Sequence, residues 1–79
     1  MAIRTLVFDH AGSEGAPPIV FLHGLLGSRR NWRSVVRDIS TERRVFSVDL
    51  RNHGDSFHDE NGTLASMVED LRFWIDFNF

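Results

Sequence analysis

Two short, mostly apolar segments constrain the fold of this chain most strongly, because each ends at a polar, glycine-containing turn. Ile19–Leu22 is wholly apolar and is followed at once by His23 and Gly24. Val45–Asp49 is the second segment, and it runs into a polar stretch that contains Gly54. Short apolar runs with β-branched residues are typical of strands buried on both faces of a parallel sheet. Such a sheet needs a helix layer on each side.

Two helical patterns alternate with these strands. Ser28 or Asn31 can cap the first helix, and Thr63 can cap the second. The apolar face of the first helix comprises Trp32, Val35, Val36 and Ile39. The wider stripe of the second helix, predicted over Thr63–Phe77, comprises Leu64, Met67, Val68, Leu71, Trp74 and Ile75. We expect this stripe to face the core. The residues off the stripe, Phe73, Phe77 and Phe79, are expected to form an exposed apolar patch that favours association.

The order of the elements predicts the fold class. Ile3–Asp9 suits a further strand, and Ala11–Pro18 is rich in glycine and proline, as surface loops are. The alternation of strands and helices that follows favours an α/β fold with a parallel sheet and right-handed crossovers. Two strands buried on both faces need more cover than two helices supply. We therefore interpret residues 1–79 as a single, incomplete α/β domain.

Composition excludes several classes of function. Nine basic and eleven acidic residues give a net charge of −2, so the basic face typical of nucleic-acid binding is not expected. Cysteine is absent, which rules out disulfides and thiolate metal sites within these residues. No apolar run approaches the roughly 20 residues that span a bilayer, and the N-terminus lacks the apolar stretch of a signal peptide. We expect a cytoplasmic protein without nucleic-acid partners or a membrane span.

The first motif that carries chemistry is the turn His23-Gly24-Leu25-Leu26-Gly27-Ser28. We expect Gly24 to adopt a backbone angle that a side chain would resist. The turn can leave the Leu25 N–H unpaired and directed into a cleft, where such a group stabilises the oxyanion of acyl transfer. A plain strand-to-helix turn with a structural histidine is the alternative that these residues leave open.

The second motif, Asp49 to Ser56, follows the next strand. We expect Asp49 and Arg51 to form an ion pair across the turn, and Gly54 to permit an unusual backbone angle. A salt-bridged loop with solvated side chains is the alternative.

Two other functions are conceivable for the second motif. The set of residues that most resembles a metal-ligand pattern comprises His53, Asp55, His58 and Asp59. Their spacing matches no closed ligand set, so we predict no metal. The segment Gly54-Asp55-Ser56-Phe57 resembles the Gly-Asp-Ser-Leu block of a separate lipase family, in which the serine is the nucleophile.

Together the two motifs resemble the α/β-hydrolase superfamily. Its members carry H-G-x-x-G after one strand and D-x-R-G-x-G-x-S after the next. Here the second motif is D-x-R-N-H-G-x-S, which is similar to the abhydrolase-domain carboxyl-ester hydrolases. The resemblance runs from about Ile3 to Ile75 and matches the N-terminal third of the family domain. It implies three strands, with Val45–Asp49 in the middle, an antiparallel first strand, and an open edge at Ile19–Leu22.

The resemblance also implies roles for individual residues. The backbone N–H of Leu25 would supply one oxyanion-hole donor. The residues that would shape the site are His23, Gly24 and Gly27 in the first motif, and Asp49, Arg51, Gly54 and Ser56 in the second. The substrate would be a small-molecule ester, no cofactor is implied, and a mitochondrial location also occurs in this branch.

The catalytic triad is the main departure from the family pattern. No G-x-S-x-G nucleophile elbow occurs in the 79 residues, and the triad acid and histidine of the family lie farther downstream. We therefore expect a truncated serine hydrolase that is inactive as this chain. The alternative is a non-catalytic interaction module, or short isoform, that associates through its open sheet edge.

Overall fold

Three strands form one mixed sheet in the computed structural model, which describes residues 4–79. The strands are β1 (Phe8–Ala11), β2 (Ile19–Leu22) and β3 (Val45–Val48). β3 lies in the middle, antiparallel to β1 and parallel to β2. Two α-helices, α1 (Arg33–Ile39) and α2 (Leu64–Asn78), accompany the sheet. The predicted partial α/β fold, its strand order and the antiparallel first strand are confirmed.

The central position of β3 explains its composition. All four of its residues are buried, because β3 has a neighbouring strand on each side and packed elements on both faces. Phe46 and Val48 join the main core with Leu6 and Trp74. Ser47, the polar residue of this strand, is also buried.

β1 is shifted along the chain from its predicted position. We predicted a strand over Ile3–Asp9, whose first residue lies outside the described residues. Regular pairing begins only at Phe8, opposite Val48, because the preceding Val7 N–H donates to the Ser56 hydroxyl instead. The strand continues to Ala11, which we predicted as loop, since Ala11 still pairs with Val45.

The predicted caps form, although the first helix starts differently. Ser28 caps a 3₁₀ turn at Arg29–Trp32, and Asn31 completes a reciprocal capping box with it. α1 follows directly from this turn. Thr63 caps α2 by accepting a hydrogen bond from the Ser66 N–H at 3.2 Å. Among residues 4–79, no helix is both long and apolar enough to cross a bilayer.

The prediction that the α2 stripe faces the core is wrong for three of its six members. Trp74 is buried, Leu71 packs against the core and Met67 is half-buried, whereas Ile75, Val68 and Leu64 are 41%, 57% and 77% exposed. Leu64 and Val68 border an apolar groove of about 110 Å³, whose lining residues are Leu22, Leu50, Leu64, Met67, Val68 and Leu71. The helix has the expected apolar face, but nothing among residues 4–79 covers the part around Leu64 and Val68. Phe73, Phe77 and Phe79 are exposed, as predicted.

Candidate functional site

Two loops lie side by side where β2 and β3 end. We call residues 23–28 the first loop and residues 49–56 the second loop. β2 and β3 are parallel neighbours, so their carboxyl ends lie at the same edge of the sheet, where α/β folds place their sites. The parallel pairing of β2 and β3 therefore brings both motifs to one location.

The buried carboxylate of Asp49 ties the second loop to the 3₁₀ turn that follows the first loop. Its side chain is fully buried. Oδ1 accepts a hydrogen bond from the Arg29 N–H at 2.6 Å. Oδ2 accepts one from the Asp55 N–H at 2.9 Å and forms an ion pair with the Arg29 guanidinium. Because a buried carboxylate needs both charge compensation and hydrogen bonds, these contacts are what allow Asp49 to lie under the site.

The charge of Asp49 is fixed by this environment. Burial by itself raises the pKa of the Asp49 carboxyl, but the hydrogen bonds from the backbone of Arg29 and Asp55 and from the Arg29 guanidinium lower it further than burial raises it. The pKa of Asp49 consequently lies below the usual aspartate range. Arg29 is in turn neutralised by three carboxylates, since it also contacts Asp9 at 3.0 Å and Asp55 at 3.1 Å.

The predicted ion pair between Asp49 and Arg51 is wrong. Arg51 instead forms a bidentate pair with Asp70 of α2, with Nε–Oδ2 and Nη2–Oδ1 distances of 2.5 and 2.7 Å. Its Nη1 donates to the Asn61 carbonyl at 2.7 Å. The two motif side chains therefore extend to different elements, and together they tie the second loop to the 3₁₀ turn and to α2.

Ser56 is a structural residue in this geometry. Its side chain is buried; the hydroxyl donates to the Asp49 carbonyl at 2.6 Å and accepts from the Val7 N–H at 2.9 Å. A hydroxyl with both roles already occupied inside the protein is not available as a nucleophile. The interpretation of Gly54-Asp55-Ser56-Phe57 as a lipase nucleophile block is therefore wrong.

The strained positions of the first loop are not the ones we expected. Gly24 has no positive φ, and a Cβ there would meet open space. The left-handed residue is Leu26, with φ 64°. The Gly27 N–H donates to the Gly24 carbonyl at 3.0 Å, so residues 24–27 form a β-turn with positive φ only at its third position, the type II pattern. Gly27 is the sterically restricted glycine, because a Cβ there would overlap the Asn31 side chain.

This turn fixes the direction of the Leu25 N–H. The Gly24 carbonyl and the Leu25 N–H belong to one planar trans peptide unit and point in opposite directions. His23 Nδ1 contacts that carbonyl at 2.8 Å, and the Gly27 N–H also donates to it. Within residues 4–79 no group accepts a hydrogen bond from the Leu25 N–H, and Leu25 is 85% exposed.

Metal binding has no support in this arrangement. Three of the four polar residues singled out by sequence have protein partners: His53 the Leu26 N–H, Asp55 Arg29, and Asp59 Arg4. No three histidine, aspartate or glutamate side chains in the described part of the chain are placed to share a cation.

Sequence reasoning missed the two partners, Arg29 and Asp70. Arg29 is one of nine cationic residues, and nothing in its spacing distinguishes it from Arg30 beside it. Asp70 had a usable signal, since helical spacing places it at the border of the apolar face of α2, beside Trp74. A half-buried carboxylate at that border is stabilised by a cationic partner from another element.

Comparison with known proteins identifies the family. A family model described as "alpha/beta hydrolase fold" matches residues 17–76. The chain belongs to the α/β-hydrolase family. This match includes both loops, β2, β3 and most of α2.

The individual relatives include proteins named as esterases, lipases and acyltransferases. The sn-1-specific diacylglycerol lipase ABHD11 of Mus musculus is 46% identical over 63 residues, covering 77% of this chain and 20% of that protein. A probable alcohol acetyltransferase of Saccharomyces cerevisiae is 43% identical over 68 residues, covering 81% and 20%. The structure of a marine microorganism esterase superposes with a TM-score of 0.83 at 36% identity, covering 94% of this chain and 28% of that one. The chain spans about a fifth of the length of the curated relatives it matches.

Replacing Gly54 by alanine is predicted to destabilise the fold far more than replacing Gly24. Gly54 has φ 51°, and a Cβ there would overlap the Asp49 carboxylate. Left-handed strain and overpacking together cost about 2–4 kcal/mol. Gly24→Ala is the matched control and is expected to change the free energy of unfolding by less than about 1 kcal/mol. Denaturant unfolding of both variants measures this, and equal losses would contradict the assignment.

Acid is predicted to destabilise the fold through Asp49. Its pKa is lower folded than unfolded, so the unfolded state binds more protons and the free energy of unfolding falls as pH drops through the folded pKa. Asp49→Asn is expected to flatten this dependence, whereas Asp38→Asn, at an exposed site, is expected to retain it. Unfolding measured between about pH 6 and about pH 3 tests this, and a flat profile for the unsubstituted chain would contradict it.

Proposed function

We propose that this segment supplies the oxyanion side of an ester-hydrolase site that works through an acylated serine. The observation that carries the proposal is the Leu25 N–H, which a type II turn and His23 hold in a fixed direction while no described group accepts its hydrogen bond. A preorganised backbone donor of this kind stabilises negative charge on a carbonyl oxygen during acyl transfer. Membership of the α/β-hydrolase family and the similarity to a marine microorganism esterase support it.

The chemistry would proceed in two steps. A serine hydroxyl from the remainder of the domain attacks the ester carbonyl, and the Leu25 N–H stabilises the resulting oxyanion. The C–O bond then breaks, and the alcohol leaves with a proton. Water attacks the acyl-serine through a second oxyanion, releasing the carboxylic acid and restoring the serine. This chain's own contribution is to orient the donor at the same oxygen in both steps.

We further propose that the 79 residues are one part of the catalytic domain and are inactive by themselves. The relatives are several times longer than the matched segment, and the 79 residues contain no G-x-S-x-G elbow. The only serine of the second loop, Ser56, has both hydrogen-bonding roles occupied. Nucleophile, base and triad acid would come from the remainder of the domain.

Transfer of the acyl group to an alcohol is a second candidate function. A probable alcohol acetyltransferase of Saccharomyces cerevisiae and an ethanol acetyltransferase of Kluyveromyces lactis are 43% and 42% identical to matched segments of this chain. Hydrolysis and alcohol transfer share the first step and differ only in the acceptor that attacks the acyl-serine. Release of acid in water, against formation of a new ester with added ethanol, distinguishes them.

Leu25→Pro is predicted to abolish most activity in a complete domain. The completed domain for this test is a chimaera in which residues 1–79 replace the matching segment of the marine microorganism esterase. Leu25 occupies the second position of a type II turn, where proline is favoured, so the substitution deletes the N–H while suiting the backbone. Loss of one oxyanion donor lowers kcat by about 10²–10³-fold.

Leu25→Ala is the matched control, since it keeps the N–H and removes only an exposed side chain; its kcat is expected to stay within about threefold. Hydrolysis of small activated esters is the assay. Full kcat in a folded Leu25→Pro chimaera would overturn the oxyanion assignment. Turnover by the isolated 79 residues would overturn the proposal that they are inactive.

We also propose that the isolated chain associates with copies of itself. β2 has a neighbour on one side only, and the apolar face of α2 beside it is uncovered. An open strand edge next to an exposed apolar surface favours pairing with another chain. In the relatives, the additional length would supply strands that cover this surface.

Val68→Lys is predicted to weaken this association. Val68 is 57% exposed and borders the groove beside β2, so a charge there opposes burial against a second copy. Ser34→Lys, on the exposed surface of α1, is the control with the same change of charge. Sedimentation velocity is expected to show oligomers for the unsubstituted chain and Ser34→Lys, with a shift toward monomer for Val68→Lys. If the unsubstituted chain sediments as a monomer at high concentration, that result would contradict the proposal.

A further inference from the structure

His53 connects the second loop to the first through its imidazole ring. Its Nε2 lies 3.1 Å from the Leu26 nitrogen, and its Nδ1 lies 2.8 Å from the Arg51 carbonyl oxygen. A backbone N–H can only donate and a carbonyl can only accept, so these partners assign the proton of His53 to Nδ1 and leave Nε2 as the acceptor. The ring is therefore neutral in this arrangement.

His23 makes the reciprocal connection from the first loop to the second. Its Nε2 accepts from the Leu50 N–H at 3.0 Å, and its Nδ1 donates to the Gly24 carbonyl at 2.8 Å. The two rings pack together with their centroids 4.9 Å apart. Each loop thus presents one histidine that accepts a backbone N–H of the other loop, and each histidine is held by a carbonyl of its own loop. We call this pair of exchanged contacts the histidine clasp.

Backbone strain is located at the same contacts. Leu26 and Asn52 are the non-glycine residues with positive φ in the described part of the chain, at 64° and 65°. Leu26 donates to the ring of His53, and Asn52 directly precedes His53 in sequence. The left-handed conformation is unfavourable for a non-glycine residue, and such strain persists where the surroundings hold it in place. The clasp provides that hold for Leu26.

We propose that His53 is a positioning residue for the oxyanion donor, an inference that rests on the proposed function. The Leu25 N–H belongs to the peptide unit whose carbonyl, that of Gly24, is held by His23. The next peptide unit carries the Leu26 N–H, which is held by His53. Oxyanion stabilisation depends on donors that need no reorganisation during reaction. Release of the Leu26 N–H frees the turn to rotate and moves the Leu25 donor away from its fixed direction.

Nitrogen NMR of the ¹⁵N-labelled 79-residue chain tests the clasp without any activity. Both rings are expected to be neutral and protonated at Nδ1 only. The Leu26 amide is expected to show a through-hydrogen-bond coupling to His53 Nε2, and the Leu50 amide one to His23 Nε2. A proton on Nε2 of either ring, or no coupling between the Leu26 amide and an imidazole nitrogen, would overturn the clasp.

Two substitutions of His53 in the completed domain separate positioning from local loop structure. His53→Gln keeps an acceptor near the Nε2 position, whereas His53→Asn keeps only a donor near Nδ1. We expect His53→Asn to lower kcat at least tenfold with a smaller change in KM, and His53→Gln to restore most of that loss. Equal loss of kcat in both variants would overturn the positioning role.

The outcomes also distinguish this inference from the proposed function. If the couplings are present but Leu25→Pro keeps full kcat, the oxyanion assignment fails while the clasp stands as a structural link. If Leu25→Pro loses activity and the two His53 variants behave alike, the oxyanion assignment stands and the positioning role of His53 fails.

Discussion

The buried carboxylate of Asp49 is the interaction on which the rest of this structure depends. It directly follows the central strand, is fully inaccessible to solvent, and receives hydrogen bonds from Arg29 and from Asp55. A buried charge without such partners would cost several kcal/mol. The 3₁₀ turn must therefore remain against the second loop, and Gly54 must remain a glycine, because the carboxylate occupies the space of its Cβ.

The histidine clasp fixes the orientation of the backbone at the ends of β2 and β3, where Asp49 fixes the distance between elements. Asp49 and Arg29 fix how close the second loop lies to the 3₁₀ turn, while His23 and His53 fix how the peptide planes of the two loops are oriented. The Leu25 N–H is left without a described acceptor in the middle of this network. A network that holds the groups on either side and leaves one backbone donor without a described acceptor is consistent with the oxyanion site that we propose.

Much of the fold was predictable from local pattern. Strand burial and helix capping depend on adjacent residues, so the sequence pattern located these elements. The strands are marked by the apolar runs Ile19–Leu22 and Val45–Val48, and the helix starts by the caps Ser28 and Thr63. Partners distant in sequence were not predictable in this way. The pairs Arg29–Asp49 and Arg51–Asp70 form only when the chain folds. Spacing along the sequence does not predict which cation pairs with which carboxylate.

Two errors concerned backbone and burial. Glycine at position 24 suggested a special backbone angle there, yet the angle falls on Leu26 because a type II turn places it at the third position. The apolar stripe of α2 has helical spacing, but spacing cannot indicate whether a covering layer is present, and Leu64 and Val68 remain exposed.

The most direct test of the account is a crystal structure of the completed domain with its serine bound to a phosphonate, whose anionic oxygen represents the oxyanion of acyl transfer. We expect this oxygen to lie about 2.7–3.1 Å from the Leu25 nitrogen, with the Leu26 N–H still bonded to His53. A phosphonate oxygen beyond hydrogen-bond reach of Leu25, or a Leu25 N–H bonded to a protein carbonyl, would contradict it.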